Sequence, residues 1–112
     1  MAHFAWLDEH NKVFQVSVVI NSDIQDLSFP ESEAVGVAYL TQVHGAGKTW
    51  KQTSYNTYRK YEATWNNDDE RIETSRTYVG SFHANGGTPF RGQYAGIGDY
   101  YDAQLDEFVT LP

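Results

Sequence analysis

Trp6-Leu7-Asp8 leads to Phe14, and Tyr100-Tyr101-Asp102 leads to Phe108, with the same six-residue step from Asp to Phe near both ends of the chain. In each, an aromatic strand end meets an acidic, turn-forming cluster and a strand then resumes, which is the pattern of a β-hairpin. A chain that starts and finishes in hairpins is expected to begin and end in one antiparallel sheet. The residues of both motifs are then scaffold and not chemistry.

Length and charge narrow the field further. At 112 residues a single domain is expected, burying roughly two-thirds of the surface its unfolded chain exposes. There is no cysteine, so disulfides, thiolate metal sites and Cys nucleophiles are excluded and packing alone must hold the fold. A net charge of −7 argues against nucleic acid, whose affinity comes mainly from Lys and Arg displacing counterions. It also disfavours adhesion to anionic membranes and favours solubility. The longest apolar run, Val16 to Ile20, is interrupted by Ser17 and is far too short to span a bilayer. Met1-Ala2-His3-Phe4 lacks a basic segment followed by an apolar one, so no signal peptide is expected and the protein should be made and folded in a cytoplasm.

Along the chain, Ala2 to Leu7 and Lys12 to Ile20 read as strands around the turn Asp8-Glu9-His10-Asn11. By period two, Phe14, Val16, Val18 and Ile20 share a face that should point inward. Asn21 to Leu27 is polar and should cross the surface. Ser28-Phe29-Pro30-Glu31 matches a capping box, predicting a helix from Pro30 or Glu31 to His44 that Gly45 stops. Its buried stripe should be Val35, Ala38, Tyr39, Gln42 and Val43, with Glu31, Glu33 and Thr41 outside. Thr49 to Tyr55 alternates, with Trp50 as its core anchor. Tyr58 to Trp65 and Glu70 to Val79 read as a hairpin joined by Asn66-Asn67-Asp68-Asp69, whose only aliphatics are Ala63, Ile72 and Val79. Such an arm, spanning about 57–80, should project or be completed by another chain. Ser81 to Gly92 reads as loop, and Tyr94 to Tyr101 pairs with Glu107 to Leu111, with Gly96 and Gly98 marking a bulge or close approach. The expected class is α+β: an antiparallel sheet built from the terminal hairpins plus Thr49 to Tyr55, one helix packed on it and a projecting central hairpin. The expected core is Phe4, Trp6, Phe14, Val16, Val18, Val35, Tyr39, Val43, Trp50, Ile97, Phe108 and Val109.

Motifs with a chemical meaning are few. Gly45-Ala46-Gly47-Lys48-Thr49 resembles the end of a phosphate loop, but the first Gly of that loop would fall on Gln42. The order is also helix then strand, the reverse of what cradles a phosphate. Gly96-Ile97-Gly98 has Tyr101 where a dinucleotide fingerprint needs its third Gly. His3, His10, His44 and His83 show no metal-binding spacing. No Ser lies in G-x-S-x-G, so no catalytic residue, cofactor or metal ligand is assigned and an enzyme is not expected. Asp68, Asp69 and Glu70, or Asp99, Asp102 and Asp106, could be offered to calcium, but neither set follows the D-x-[DN]-x-[DN]-G loop. Asp and Asn at hairpin turns need no further explanation.

The remaining signal is aromatic. Tyr55, Tyr58, Tyr61, Trp65 and Tyr78 fall in or beside the central hairpin, beyond what its sparse aliphatics require. Tyr and Trp supply contact area at low entropic cost and are enriched at interfaces, so these residues are the candidate interface. Sugar stacking would use the same residue types, and covering the sheet below is the bland alternative.

Met1-Ala2-His3-Phe4-Ala5 with Leu7-Asp8-Glu9, Trp50-Lys51-Gln52-Thr53-Ser54-Tyr55-Asn56, and Phe90-Arg91-Gly92-Gln93-Tyr94-Ala95-Gly96-Ile97-Gly98 with Tyr101-Asp102 and Asp106-Glu107-Phe108-Val109 together resemble small, uncharacterised virion-associated proteins of marine and cyanobacterial tailed phages. The resemblance covers the two ends and the Trp50 strand. The stretch Tyr58 to Val79 departs from it, being longer and more aromatic. The resemblance implies a protein made in the host cytoplasm and carried in the virion as a capsid decoration (cement) protein or a tail accessory. Its partner would be the major capsid or tail protein of the same virus, with a homo-oligomer possible and neither nucleic acid nor membrane involved. The other functions to be weighed are a host-surface glycan-binding module using Tyr58, Tyr61, Trp65 and Tyr78, and an assembly chaperone absent from the finished particle.

Overall fold

The structure, a computed structural model, describes residues 1–65 and 73–110, with the backbone alone for 62–65 and 73–77. The turn Asn66-Asn67-Asp68-Asp69, the acidic set Asp68, Asp69 and Glu70, and Ile72 and Leu111 lie outside the described residues, as do the side chains of Ala63 and Trp65. The architecture is α+β, as the sequence predicts. It contains β1 (Ala2–Leu7), β2 (Val13–Val19), a 3-10 turn (Asn21–Ile24), α1 (Glu31–His44) and β3 (Thr49–Thr53). The arm follows as β4 (Thr57–Trp65) and β5 (Glu73–His83), and β6 (Tyr100–Asp102) and β7 (Glu107–Val109) close the chain. All pairings are antiparallel. The strands form a three-stranded sheet in the order β2-β1-β3, the β4-β5 arm and the β6-β7 hairpin.

The central strand β1 is buried on both faces, which explains why Ala2 to Leu7 is apolar at nearly every position. Ala2, Phe4 and Trp6 pack with Val19, Trp50, Ile24 and Leu40 under α1. Ala5 and Leu7 pack the other way, with Val13, Ala95, Tyr101 and Phe108. The C-terminal hairpin is thus a separate two-stranded sheet covering the face opposite the helix, and not part of one sheet with the N-terminal hairpin as expected. It joins β2 through one bridge, Lys12 to Tyr100, and through backbone bonds from Val13 to Asp99 and from Gly98 to Val13.

Phe14, Val18 and Ile20 are exposed, so the expected inward face of β2 is corrected. The cause is a bulge: Leu7 lies opposite Val13 and Trp6 opposite Gln15, leaving Phe14 as an extra residue. One extra residue reverses the alternation, so Val13 and Val16 reach the same cluster although three apart. Phe14 lies instead against Trp6, with ring centroids 4.6 Å apart.

The helix has the expected ends but a different face. Its fully buried residues are Ser32, Gly36 and Leu40. Val35 and Tyr39 are partly buried, while Ala38, Gln42 and Val43 are exposed. A Cβ on Gly36 would lie 2.1 Å from the Phe4 ring. The helix therefore approaches the sheet through small residues, which a search for large apolar ones does not find. Glu33, expected outside, is half-buried in an ion pair. No side chain caps the helix start, and the Ser32 N–H bonds to the Ser28 carbonyl instead of a capping box forming.

Two other expectations change. Asn21 to Leu27 does more than cross the surface, since its 3-10 turn inserts Ile24 into the core. Tyr94 to Asp99 is a turn and not a strand: the Asp99 carboxylate accepts the Gly96 N–H at 2.8 Å, Gly98 has φ +96°, and Ile97 at its tip is 76% exposed. Among the described residues no helix is long and apolar enough to cross a membrane.

Candidate functional site

The arm is held at its root by Arg59. Its Nε donates to Gln93 Oε1 at 2.7 Å and its Nη2 to the Phe108 carbonyl at 2.5 Å. Glu107 lies 3.5 Å from Nη1, and the guanidinium sits 4.7 Å over the Tyr78 ring. The Ser81 hydroxyl donates to the Gly92 carbonyl at 2.7 Å, the Tyr94 N–H to the Thr57 carbonyl at 3.0 Å, and the Ala84 N–H to the Asn56 carbonyl at 2.8 Å. Thr57 is fully buried. Root residues are thus fixed to both the 90–94 loop and β7, while Tyr61–Trp65 continues outward as a ladder with Glu73–Tyr78.

The aromatic residues predicted from sequence do not form one surface. Tyr58 pairs with Phe82, rings 5.5 Å apart and stacked, on the side away from Arg59. Past Lys60–Gly80 the register slips, leaving Val79 as an extra residue and Gly80 at φ +130°, a conformation a side chain disfavours. Tyr61, two residues past Arg59, lies on the Arg59 side by alternation, and the slip brings Tyr78 across to pair with it at 5.8 Å. The arm consequently presents an aromatic pair on each face, and all four rings are exposed, as is Val79. Tyr55 lies off the arm, stacked on His3 at 5.5 Å with Tyr94 edge-on, and is still 57% exposed. Trp65 ends β4 opposite Glu73, and its side chain is outside the described residues. Phe82 escaped the sequence reading because β5 was expected to stop at Val79. Strict alternation from Tyr78 would also have put Phe82 and Tyr78 on one face.

A cleft of about 840 Å³ opens beside the root, between the 21–30 segment, the end of β3 and the 87–90 loop. Phe29 and Phe90 stack in parallel at 3.9 Å on one wall, and Tyr55, Asn56 and His83 stand on another. None of the nineteen lining residues is Asp, Glu, Lys or Arg, although these make up 21% of the chain. Burial and the nearby amino terminus hold the His3 imidazole below its ordinary pKa, so it lines the cleft as a neutral group. The His83 Nδ1 accepts the N–H groups of Asn85 and Gly87, which places the proton of the neutral ring on Nε2.

A second arginine, Arg91, ties three elements together. It donates to both oxygens of Glu33 on α1, to the Gln52 carbonyl on β3 at 2.9 Å and to Asp106 before β7 at 2.9 Å. Its side chain is only 6% exposed. Burial alone raises the Glu33 carboxyl, but the bonds from Arg91 and the Gln52 N–H outweigh it and hold the pKa below the ordinary value. Burial and the hydrogen bond to Asp106 push the Tyr101 hydroxyl up to about 12. Every charged group in this network has its partner within the fold.

Of the acids weighed for calcium, Asp99, Asp102 and Asp106 are occupied in the same way. Asp99 accepts from Gly96 and Thr110, Asp102 from the N–H groups of Gln104 and Leu105, and Asp106 from Arg91 and Tyr101. Among the described residues no three His, Asp or Glu side chains converge as a metal site would require. No protein-family profile, no curated protein and no solved structure matches this chain.

Proposed function

We propose that this is a non-enzymatic docking protein that binds a larger protein through its central arm. The observation that carries the reading is a hairpin with rings exposed on both faces and a root fixed by Arg59. Exposed Tyr and Phe on a preorganised element lose little entropy on binding, which is the profile of interface anchors. Edge pairing along β4 or β5 would add main-chain hydrogen bonds. Taken with the sequence resemblance, the partner is the major capsid or tail protein of a tailed phage, and the chain is a decoration or tail accessory protein of the virion. Mass spectrometry of purified particles tests this. On the order of hundreds of copies marks shell decoration, about a dozen or fewer marks a tail component, and none contradicts the reading and favours an assembly chaperone.

The cleft, lined by no Asp, Glu, Lys or Arg side chain, favours a second reading, a glycan-binding module. Its stacked rings, side-chain amides and imidazoles suit a hydroxyl-rich ligand. In this form the sugar contacts Tyr55, Asn56 and His83 rather than Tyr58, Tyr61, Trp65 and Tyr78. A glycan array separates the two: binding lost in Tyr55→Ala but kept in Tyr58→Ala supports the cleft, and no binding to any glycan removes this reading.

A further inference from the structure

We propose that two copies of this chain join edge to edge through β2, antiparallel about a twofold axis near Ser17, making one continuous sheet of both copies' β1, β2 and β3. The two outer strands of that sheet are treated very differently by the fold. On β3, the Gln52 N–H donates to Glu33 and its carbonyl accepts from Arg91, so side chains close that edge. On β2, only Val13 is engaged on its outer side, by Gly98 and Asp99. Beyond it, among the described residues, Phe14 to Val19 meets no strand other than β1.

Monomeric proteins protect such an edge with Lys, Pro, inward charges or a bulge along the strand. From Val13 to Ser22 there is no charged residue and no Pro, and the bulge lies at the very start. Val18 is 52% exposed and Ile20 53%.

A second copy fits this edge because the edge is complementary to itself. Twofold pairing about Ser17 sets Val16 against Val18, Gln15 against Val19 and Phe14 against Ile20. Val16 and Val18 lie on one face, so the two copies contribute a four-valine cluster, and cross-strand β-branched pairs of this kind stabilise sheets. The charge pattern agrees. Copies carrying −7 each repel generally. This stretch carries no charge of its own, so the repulsion is least where the two edges meet.

Sedimentation equilibrium of the full chain, from about 1 to 100 μM, tests the proposal. The mass should rise with concentration from that of one chain, 12.7 kDa, to that of two. Val18→Lys, at an exposed position, should keep the circular dichroism and thermal midpoint while raising the dissociation constant on the order of 100-fold. Ile20→Lys, at the other exposed apolar position facing Phe14 of the second copy, should weaken the dimer about tenfold. Replacing residues 61–79 of the arm should leave the dimer intact, which separates this proposal from arm docking. A wild-type chain that stays monomeric throughout overturns it, and so does a dimer that neither Val18→Lys nor Ile20→Lys weakens.

Discussion

At the scale of single residues, the contact between Gly36 and Phe4 decides how α1 sits on the sheet. Gly36→Ala gains about 1 kcal/mol of helix propensity but overpacks a fully enclosed ring, costing about 1–3 kcal/mol. The clash is short enough for the loss to win, so a lower urea midpoint is expected, with Phe4→Leu in the same chain recovering part of it. Arg91 is the other decisive residue. Arg91→Met leaves Glu33 half-buried without its cation, and a loss of about 3–5 kcal/mol is expected in chemical denaturation. The pH dependence follows from the same network. Glu33 and Asp106 have folded pKa values below their ordinary 4.5 and 3.8, so their contribution is present above those values and is lost as pH falls through the folded ones. The raised Tyr101 works oppositely: stability should hold below pH 10 and fall as pH rises towards 12. Thermal midpoints across pH should show a plateau between these limits, and Arg91→Met should remove its acid shoulder. Neither Gly36 nor Arg91 stands out in the sequence. The first is small where a stripe of large residues was sought, and the second gains its importance from Glu33 and Asp106, which are distant along the chain.

At the scale of elements, alternation found the strands but not all of their faces. The hairpin at Asp8 and the helix from Glu31 to His44 were legible because turn residues and stop signals act locally. The inward side of β2 was not, because one extra residue at Phe14 reverses the period without changing composition. The same device at Val79 moves Tyr78 to the face opposite Phe82, so the arm's rings form a pair on each face where a sequence reading gathers them into one site. The Arg59 root makes a specific prediction about this element. Arg59→Ala should leave the thermal midpoint of the domain nearly unchanged, while amide exchange at Tyr58, Ser81 and Phe82 speeds up, because local opening no longer breaks the bonds to Gln93 and Phe108. Unchanged exchange there would mean that the arm is held by its own ladder alone.

At the scale of the whole molecule, the chain is longer than a compact domain should be. Its extents are 59 × 31 × 20 Å and its radius of gyration is 16.5 Å, against about 13 Å expected for this length. A core covered on both faces of β1 accounts for the stability of the domain. It does not account for the arm, whose exposed Tyr58, Phe82, Tyr61 and Tyr78 contribute little to that core. That mismatch was foreshadowed by the sequence, in a segment rich in Tyr and poor in aliphatics, whereas the cleft beside Tyr55 was not, because it is assembled from four separated segments. The most direct test is binding to purified phage particles by the full chain and by a variant in which Asn-Gly replaces residues 61–79, joining the cross-strand partners Lys60 and Gly80 and keeping Arg59 and Ser81. The account predicts that the variant folds with the same core and fails to bind particles that the full chain coats. Equal binding by both would contradict it.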